Sequence, residues 1–321
     1  MKAEAALRPA TGAAVRRSYL FDREGVLGPL LLAPAVIYIL ALVGFPLVLA
    51  LLYSISSITV GDQSLHFIGL DNFRTALANN TFRSAFRNTV FFTVASQAIV
   101  IVLATILAGI LEVDFRGKRL VRFLVLLPWT TPIALGVLGW LWTLDSVYSP
   151  IDYVLRQVHL LGVGSPLGSQ WYGSNALWLA RPDLAQLSVL MVYVWRTLPL
   201  ATVIVLAGLT GIPQDINDAA EVDGAGYVRQ LFYIKAPLLA PILLVAVLYG
   251  IVFSFTDMIV VYILTRGGPI DSTQVLATWA YFKGIEGGNL GLGAAIALFL
   301  FPVLVGVSAI MLRLARRAET A

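Results

Sequence analysis

Apolar residues in this chain fall in long runs, without the polar face that would mark helices or strands packed in water. Six runs of about 20 residues or more lie near 27–53, 88–111, 123–143, 184–209, 238–265 and 290–312. About 20 apolar residues cover the hydrocarbon core of a bilayer as a helix. The pattern therefore predicts an all-α membrane protein with six transmembrane helices. A charged start followed by an apolar run also describes a secretory signal. The first run, however, spans 27 residues and carries Pro29, Pro34 and Pro46, which is longer than a signal's apolar region. It reads as an uncleaved first helix, kinked by its prolines and Gly44, with neighbouring helices satisfying the freed carbonyls.

Charge placement orients these helices. Lys2, Arg8, Arg16, Arg17 and Arg23 precede the first run, Arg116, Lys118, Arg119 and Arg122 follow the second, and Arg229, Lys235, Arg313, Arg316 and Arg317 lie on the same side. These 14 positive residues face seven in the three other loops, and the positive-inside rule then places both termini in the cytoplasm. The expected organisation is a cytoplasmic segment 1–26, a transmembrane domain 27–315 containing a cytoplasmic loop 211–237, and a cytoplasmic tail 316–321. The loops 54–87 and 144–183 face outward. Gly164, Ser165, Pro166 and Gly168 are turn formers in the second, and Trp171, Tyr172 and Trp178 are expected as interfacial anchors. Such a loop serves either as a membrane-lying connector or as a docking surface for an external partner.

Composition agrees with this reading and removes other classes. Charged residues make up 12% and hydrophobic residues 59% of the 321-residue chain, with mean hydropathy +0.85, against about a quarter charged in a soluble domain. There is no cysteine, so disulfides, thiolate metal sites and cysteine nucleophiles are excluded. The two histidines, His66 and His159, lie in loops. A net charge of +4 without a basic stripe interleaved with aromatics leaves no nucleic-acid footprint. No HExxH, paired carboxylates or Ser-His-Asp set lies at membrane depth, which argues against a membrane-embedded enzyme.

The segment 211–241 reads GIPQDINDAAEVDGAGYVRQLFYIKAPLLAP and predicts a helix, a glycine break and a second helix. Pro213 suits a first helical turn, and Asp215 and Asp218 complement the positive end of the helix dipole. Gly224 and Gly226 are expected to end that helix, 227–235 to form the second, and Pro237 to open the fifth span. Ala219, Ala220 and Ala225 offer a small-residue surface. By physical reasoning alone this is a protruding connector. Its residues add more: Asp218, Ala219 and Ala220, then three residues, Gly224, nine residues, Ile234, one residue, Ala236 and Pro237. This run resembles the coupling loop of ATP-binding-cassette (ABC) importer permeases, whose pattern is EAA, x3, G, x9, I, x, LP. Asp218 stands for the glutamate and Ala236 for the leucine.

The resemblance extends to the carbohydrate-type permeases, such as the maltose and glycerol-3-phosphate importer subunits. It runs through 67–73 (FIGLDNF), Asn88 and Thr89, 194–199 (VWRTLP), 207–209, Ile212 and Pro213, and 262–269 (YILTRGGP) with Thr273. The chain lacks the maltose subunit's extra N-terminal helices and large inserted outer domain, as the six-helix members do. The resemblance implies that Asp218, Ala219, Ala220, Gly224, Ile234 and Pro237 engage a cleft of a separate ATPase, with Asp218 pairing with a basic group there. It further implies a second permease subunit in a heterodimer, two copies of the ATP-binding subunit, an extracytoplasmic solute-binding protein, and residence among lipid in the inner membrane of a prokaryote. ATP and magnesium belong to the ATPase. This chain has no GxxxxGK[ST] loop, so no cofactor and no metal is expected on it.

Two charges lie inside the runs, Arg196 and Asp257, and intramembrane charges mark either a solute path or a structural pair. Gly250, Phe253, Ser254 and Asp257 share one helical stripe, as do Tyr193, Arg196, Thr197 and Leu200. An aromatic face beside a hydroxyl and a carboxylate suits a sugar, whose C–H faces stack and whose hydroxyls need directed partners. All of these except Arg196 align with the sugar-facing positions of the maltose permease that the chain resembles, although Phe253 alone keeps its identity. Arg196 also suits an anion such as a glycerol phosphate, which Asp257 opposes. A proton-coupled secondary transporter would use Asp257 as a relay, but no glutamate or histidine lies inside a run and no inverted repeat is evident.

Overall fold

The computed structural model describes residues 24–162, 165 and 175–320. The basic residues from Lys2 to Arg23, together with Gly164, Pro166, Gly168, Trp171 and Tyr172, lie outside them. Regular structure among the described residues is helical, apart from one isolated bridge between Ser56 and Phe67. The first helix, α1, covers Leu27–Ser54 in 28 residues. Pro46 offers no N–H, and the turn before it widens to a π turn over Leu40–Gly44, with the Phe45 N–H on the Leu40 carbonyl. The expected kink thus appears as a wide turn. Side chains 27–49 are exposed or half-exposed.

From residue 50 onward the helices are α2 (Asp71–Ala78), α3 (Asn80–Glu112), α4 (Lys118–Thr130), α5 (Ile133–Thr143), α6 (Pro150–Gln157), α7 (Pro182–Leu209), α8 (Gln214–Val222), α9 (Tyr227–Leu238), α10 (Ala240–Phe255), α11 (Ile259–Leu264), α12 (Leu276–Tyr281) and α13 (Leu290–Arg317). The 33-residue α3 begins well before its apolar run, because the Asn79 side chain accepts the Thr81 N–H at 2.9 Å and caps it. Among the described residues α1, α3, α7 and α13 are long and apolar enough to cross a membrane.

The third and fifth predicted runs are broken helices. α4 and α5 meet at 97°: Pro132 excludes Thr131 from helical geometry, and Thr131 is extended at φ −72°, ψ 133°. α9 and α10 meet at 79°, around Leu239 and ahead of Pro241 in the first turn of α10. Pro241, not Pro237, therefore opens that run, and Pro237 lies inside α9. α10 stops at Phe255, and α11 restarts the helix. Each bent pair counted as one span brings the total to as many as six.

Helices in lipid gain no hydrophobic drive toward each other, so close approach through small residues matters more. α3 meets α7 through Ala104, Ala108, Ala201 and Val205, all buried. A Cβ on Gly208 would stand 2.8 Å from Ile242 and 2.9 Å from Leu239, and one on Gly136 would stand 2.9 Å from the Trp195 ring. Trp178 is no interfacial anchor. It is buried and donates its indole N–H to Asp152 at 2.7 Å, while the second Asp152 oxygen accepts the Ala176 N–H at 2.9 Å.

Three segments that carry the family resemblance converge near the start of α3. Asn72 donates to the Ser54 and Ser56 carbonyls at 3.0 and 2.9 Å. Asn88 donates to the Asp271 and Gln274 carbonyls at 3.1 and 3.0 Å, and Thr89 accepts the Leu276 N–H at 2.9 Å. The turn they hold contains Gly267 at φ 88°, with Arg266, Ile270 and Asp271 also at positive φ. At the start of α13, Gly293 packs backbone to backbone on Gly284: an added Cβ would meet the Gly284 nitrogen at 2.8 Å and the Ala280 carbonyl at 2.9 Å. Gly306, further along α13, has nothing within 4 Å. Gly293→Ala is expected to lower stability by about 1–3 kcal/mol through overpacking, whereas Gly306→Ala is neutral or stabilising. Thermal unfolding of the purified chain in detergent checks this, and equal shifts for the two variants would contradict the packing.

Candidate functional site

The 211–241 segment forms the helix, break and helix expected of it. α8 follows Pro213, which stands just outside it at φ −57°, ψ 140°, and carries Asp215 in its first turn. Asp218 lies one turn further on and accepts from Gln214 Nε2 at 3.0 Å. The end of α8 is a Schellman motif: Gly224 N–H donates to the Glu221 carbonyl at 3.0 Å and Ala225 N–H to the Ala220 carbonyl at 2.9 Å. This geometry requires φ +70° at Gly224, which explains the glycine. Gly226 does not share that role. Its φ of −64° is open to any residue, and it heads α9.

The three alanines do not form one surface, since Ala219 is exposed, Ala225 half-buried and Ala220 buried. What the segment exposes is larger and apolar: Val222 at 87%, Tyr233 at 79% and Val228 at 68%. Ile234 is half-buried and Pro237 exposed. The inner face of α9 is tied to the end of α3. Lys235 Nζ lies 2.9 and 3.0 Å from the two Glu112 oxygens. Tyr227 and Leu231 rest on Gly109, where a Cβ would meet the Tyr227 hydroxyl at 2.6 Å.

The two intramembrane charges are paired. Arg196 on α7 binds the Asp257 carboxylate, whose other oxygen accepts the Val260 N–H at 2.9 Å and caps α11 where the fifth run breaks. The Asp257 side chain is 4% exposed and that of Arg196 16%. The guanidinium lies 5.8 Å from the Phe253 ring centre. Phe253 lies against Tyr249 at 4.4 Å with the rings tilted by 33°, and Trp129 meets both edge-on, at 5.6 and 5.9 Å. Aromatic faces here adjoin a paired acid and base.

The remaining predicted residues sit elsewhere. Gly250 and Ser254 face α3, where Gln97 lies against Gly250 and donates to Ser254 Oγ at 3.2 Å. Tyr193 is buried beside Phe92 at 6.1 Å, with no partner for its hydroxyl. Thr197 is buried and bonds back to the Tyr193 carbonyl at 2.8 Å, and Leu200 is half-buried. Sequence reasoning missed Trp129, Tyr249 and Gln97. Tyr249 precedes Phe253 by one helical turn, Trp129 sits between Pro128 and Pro132, and Gln97 is an amide inside an apolar run. Each signal was visible, but a search for charges passes over them. Among the described residues no group of three or more His, Asp or Glu is placed to hold a metal.

Residues 100–320 match the family described as binding-protein-dependent transport system inner membrane component. The trehalose/maltose transport system permease protein of Thermococcus litoralis is 29% identical over 93% of this chain and 97% of its own length. The sulfoquinovosyl glycerol transport system permease protein of Agrobacterium fabrum is 28% identical over 92% of both. In three dimensions the chain resembles one chain of the crystal structure of a bacterial alginate ABC transporter in complex with an alginate pentasaccharide-bound periplasmic protein, at a TM-score of 0.74 and 19% identity over 92% of this chain and 96% of that one. That likeness shows a shared fold. With the family match spanning well over half its length, the chain belongs to the binding-protein-dependent transport system inner membrane components, the multi-pass transport subunits of ABC importers.

Proposed function

We propose that this subunit forms half of the pathway for a sugar or similar polyol, with six spans and both termini in the cytoplasm of a prokaryote's inner membrane. A second, different permease chain supplies the other half, and an external binding protein delivers the solute. Two copies of an ATPase, carrying ATP and magnesium, grip the 211–237 loops through Asp218, Ala219, Gly224 and the exposed Val222, Val228 and Tyr233. Ala220 and Ile234 hold the shape of that loop from within, and the exposed Pro237 adds to the gripped surface.

The observation that carries the solute reading is the set Trp129, Tyr249, Phe253, Arg196 and Asp257 beside a break in a span. Broken spans recur at transporter binding sites, and clustered aromatic rings next to a paired acid and base match the C–H faces and hydroxyls of a sugar. Relatives named for trehalose/maltose and for sulfoquinovosyl glycerol transport support that class. An anionic solute such as a glycerol phosphate is the second reading, favoured by Arg196. The ion pair opposes it, because Asp257 already neutralises that guanidinium. Gly250 and Ser254, which meet Gln97 on α3, and Tyr193, Thr197 and Leu200 on α7 then support the path through helix packing and not through solute contact.

Gly224→Leu places a branched side chain at positive φ with open space around it, so it strains the Schellman turn by about 1–2 kcal/mol and spares the spans. Uptake is expected to fall about tenfold or more, the equivalent of about 1.4 kcal/mol of coupling, with wild-type amounts of folded protein. Full uptake in this variant, or in cells lacking the ATPase, would refute the docking role. Asp257→Ala removes the partner of Arg196 and the cap of α11. Because it also strands Arg196 and lowers stability, uptake is compared per folded, ATPase-bound transporter: a change in kinetics on that basis is expected, and unchanged kinetics would take Asp257 out of the path. A thermal-shift panel of sugars, polyols and glycerol phosphates on the cognate binding protein decides the class: stabilisation by a sugar or polyol supports the proposal, and stabilisation by a phosphate alone reverses it.

A further inference from the structure

Glu112 closes α3 at the end beside α9, and the buried Lys235 gives both its carboxylate oxygens a hydrogen bond. Tyr227 and Leu231 precede Lys235 on the same face of α9 and pack on Gly109, one turn before Glu112. Over Gln230–Lys235 the helix takes a π turn, with the Ala236 N–H on the Leu231 carbonyl and no N–H at Pro237. Such turns recur at functional sites. α3 itself is a single helix of 33 residues, so movement of its Glu112 end is carried along its axis. About 22 Å away, at 1.5 Å per residue, Gln97 lies against Gly250 and bonds Ser254, one turn from Asp257.

We infer that the Glu112–Lys235 ion pair is the joint through which movement of the 211–241 segment reaches α3 and, by way of Gln97, the α10 wall beside Asp257. The inference rests on the docking role proposed for that segment. Glu112 and Lys235 are positioning residues and touch neither solute nor ATP. Packing at Gly109 supports the joint, and the charges give it direction, because a buried charge is held to its partner by the penalty of leaving it unpaired.

The test uses the assembled transporter in proteoliposomes with its ATPase, second permease and binding protein. The double variant Glu112→Gln/Lys235→Met leaves no stranded charge, and the exchange Glu112→Lys/Lys235→Glu rebuilds the pair in reverse. The double-neutral chain is expected to assemble and to hydrolyse ATP within about twofold of wild type, while solute moved per ATP falls by about fivefold or more. The exchange is expected to recover most of that ratio. A wild-type ratio in the double-neutral chain overturns the inference, as does a parallel loss of hydrolysis and uptake that the exchange fails to recover. Failure of the unaltered chain to bind an ATPase would instead overturn the docking role, so the two proposals fail separately.

Discussion

A charge at membrane depth is tolerated only when matched, and the Arg196–Asp257 pair meets that demand while setting the geometry around it. One Asp257 oxygen holds Arg196 and the other caps α11, so the carboxylate that neutralises α7 also allows the fifth run to break and restart. The break leaves Phe253 and Tyr249 on the last turns of α10, where Trp129 closes on them. Removing either charge would strand the other in a low-dielectric interior, a loss of about 3–5 kcal/mol for a buried pair. Pairing, helix break and aromatic cluster are therefore one arrangement. On the proposed function, it is also where solute passes.

A related constraint governs the helix ends, whose last carbonyls have no partner within the helix. At the end of α3 the Leu111 carbonyl accepts from Arg122 at 3.1 Å and the Glu112 carbonyl from Lys118 at 2.9 Å. These cations count toward orientation in the sequence, and in the fold they also cap a helix at its negative end. Gly224 meets the same demand for α8 through backbone bonds alone. Between those two ends, the Glu112–Lys235 pair joins α3 to α9.

Long apolar runs are legible because lipid imposes length and composition directly, so α1, α3, α7 and α13 appear where the hydropathy pattern puts them. The α8 helix and its glycine stop were equally legible, since a Schellman turn is local chemistry. The interruptions were not. Hydropathy is blind to the backbone direction that Pro132 and Pro241 change, so 123–143 and 238–265 looked continuous. Burial was also hidden: Trp178 carries the composition of an interfacial anchor but sits on Asp152, and Ala220 turns inward while Ala219 faces out. The charge pair was foreseeable as one of two options. Its aromatic surroundings required knowing that Trp129 on α4 meets Tyr249 and Phe253 on α10, which no local pattern encodes.

On the proposed function the cluster around Phe253 lines the solute path, and that path opens to solute when the partner ATPase binds ATP. The chain contains no cysteine, so Phe253→Cys introduces a single thiol whose reaction with a membrane-impermeant maleimide is read on this chain alone. In the assembled transporter, labelling is predicted to rise when ATP is trapped on the ATPase and to fall again when the transported sugar is added. Labelling that stays the same with and without ATP, and that the sugar does not alter, would contradict the account.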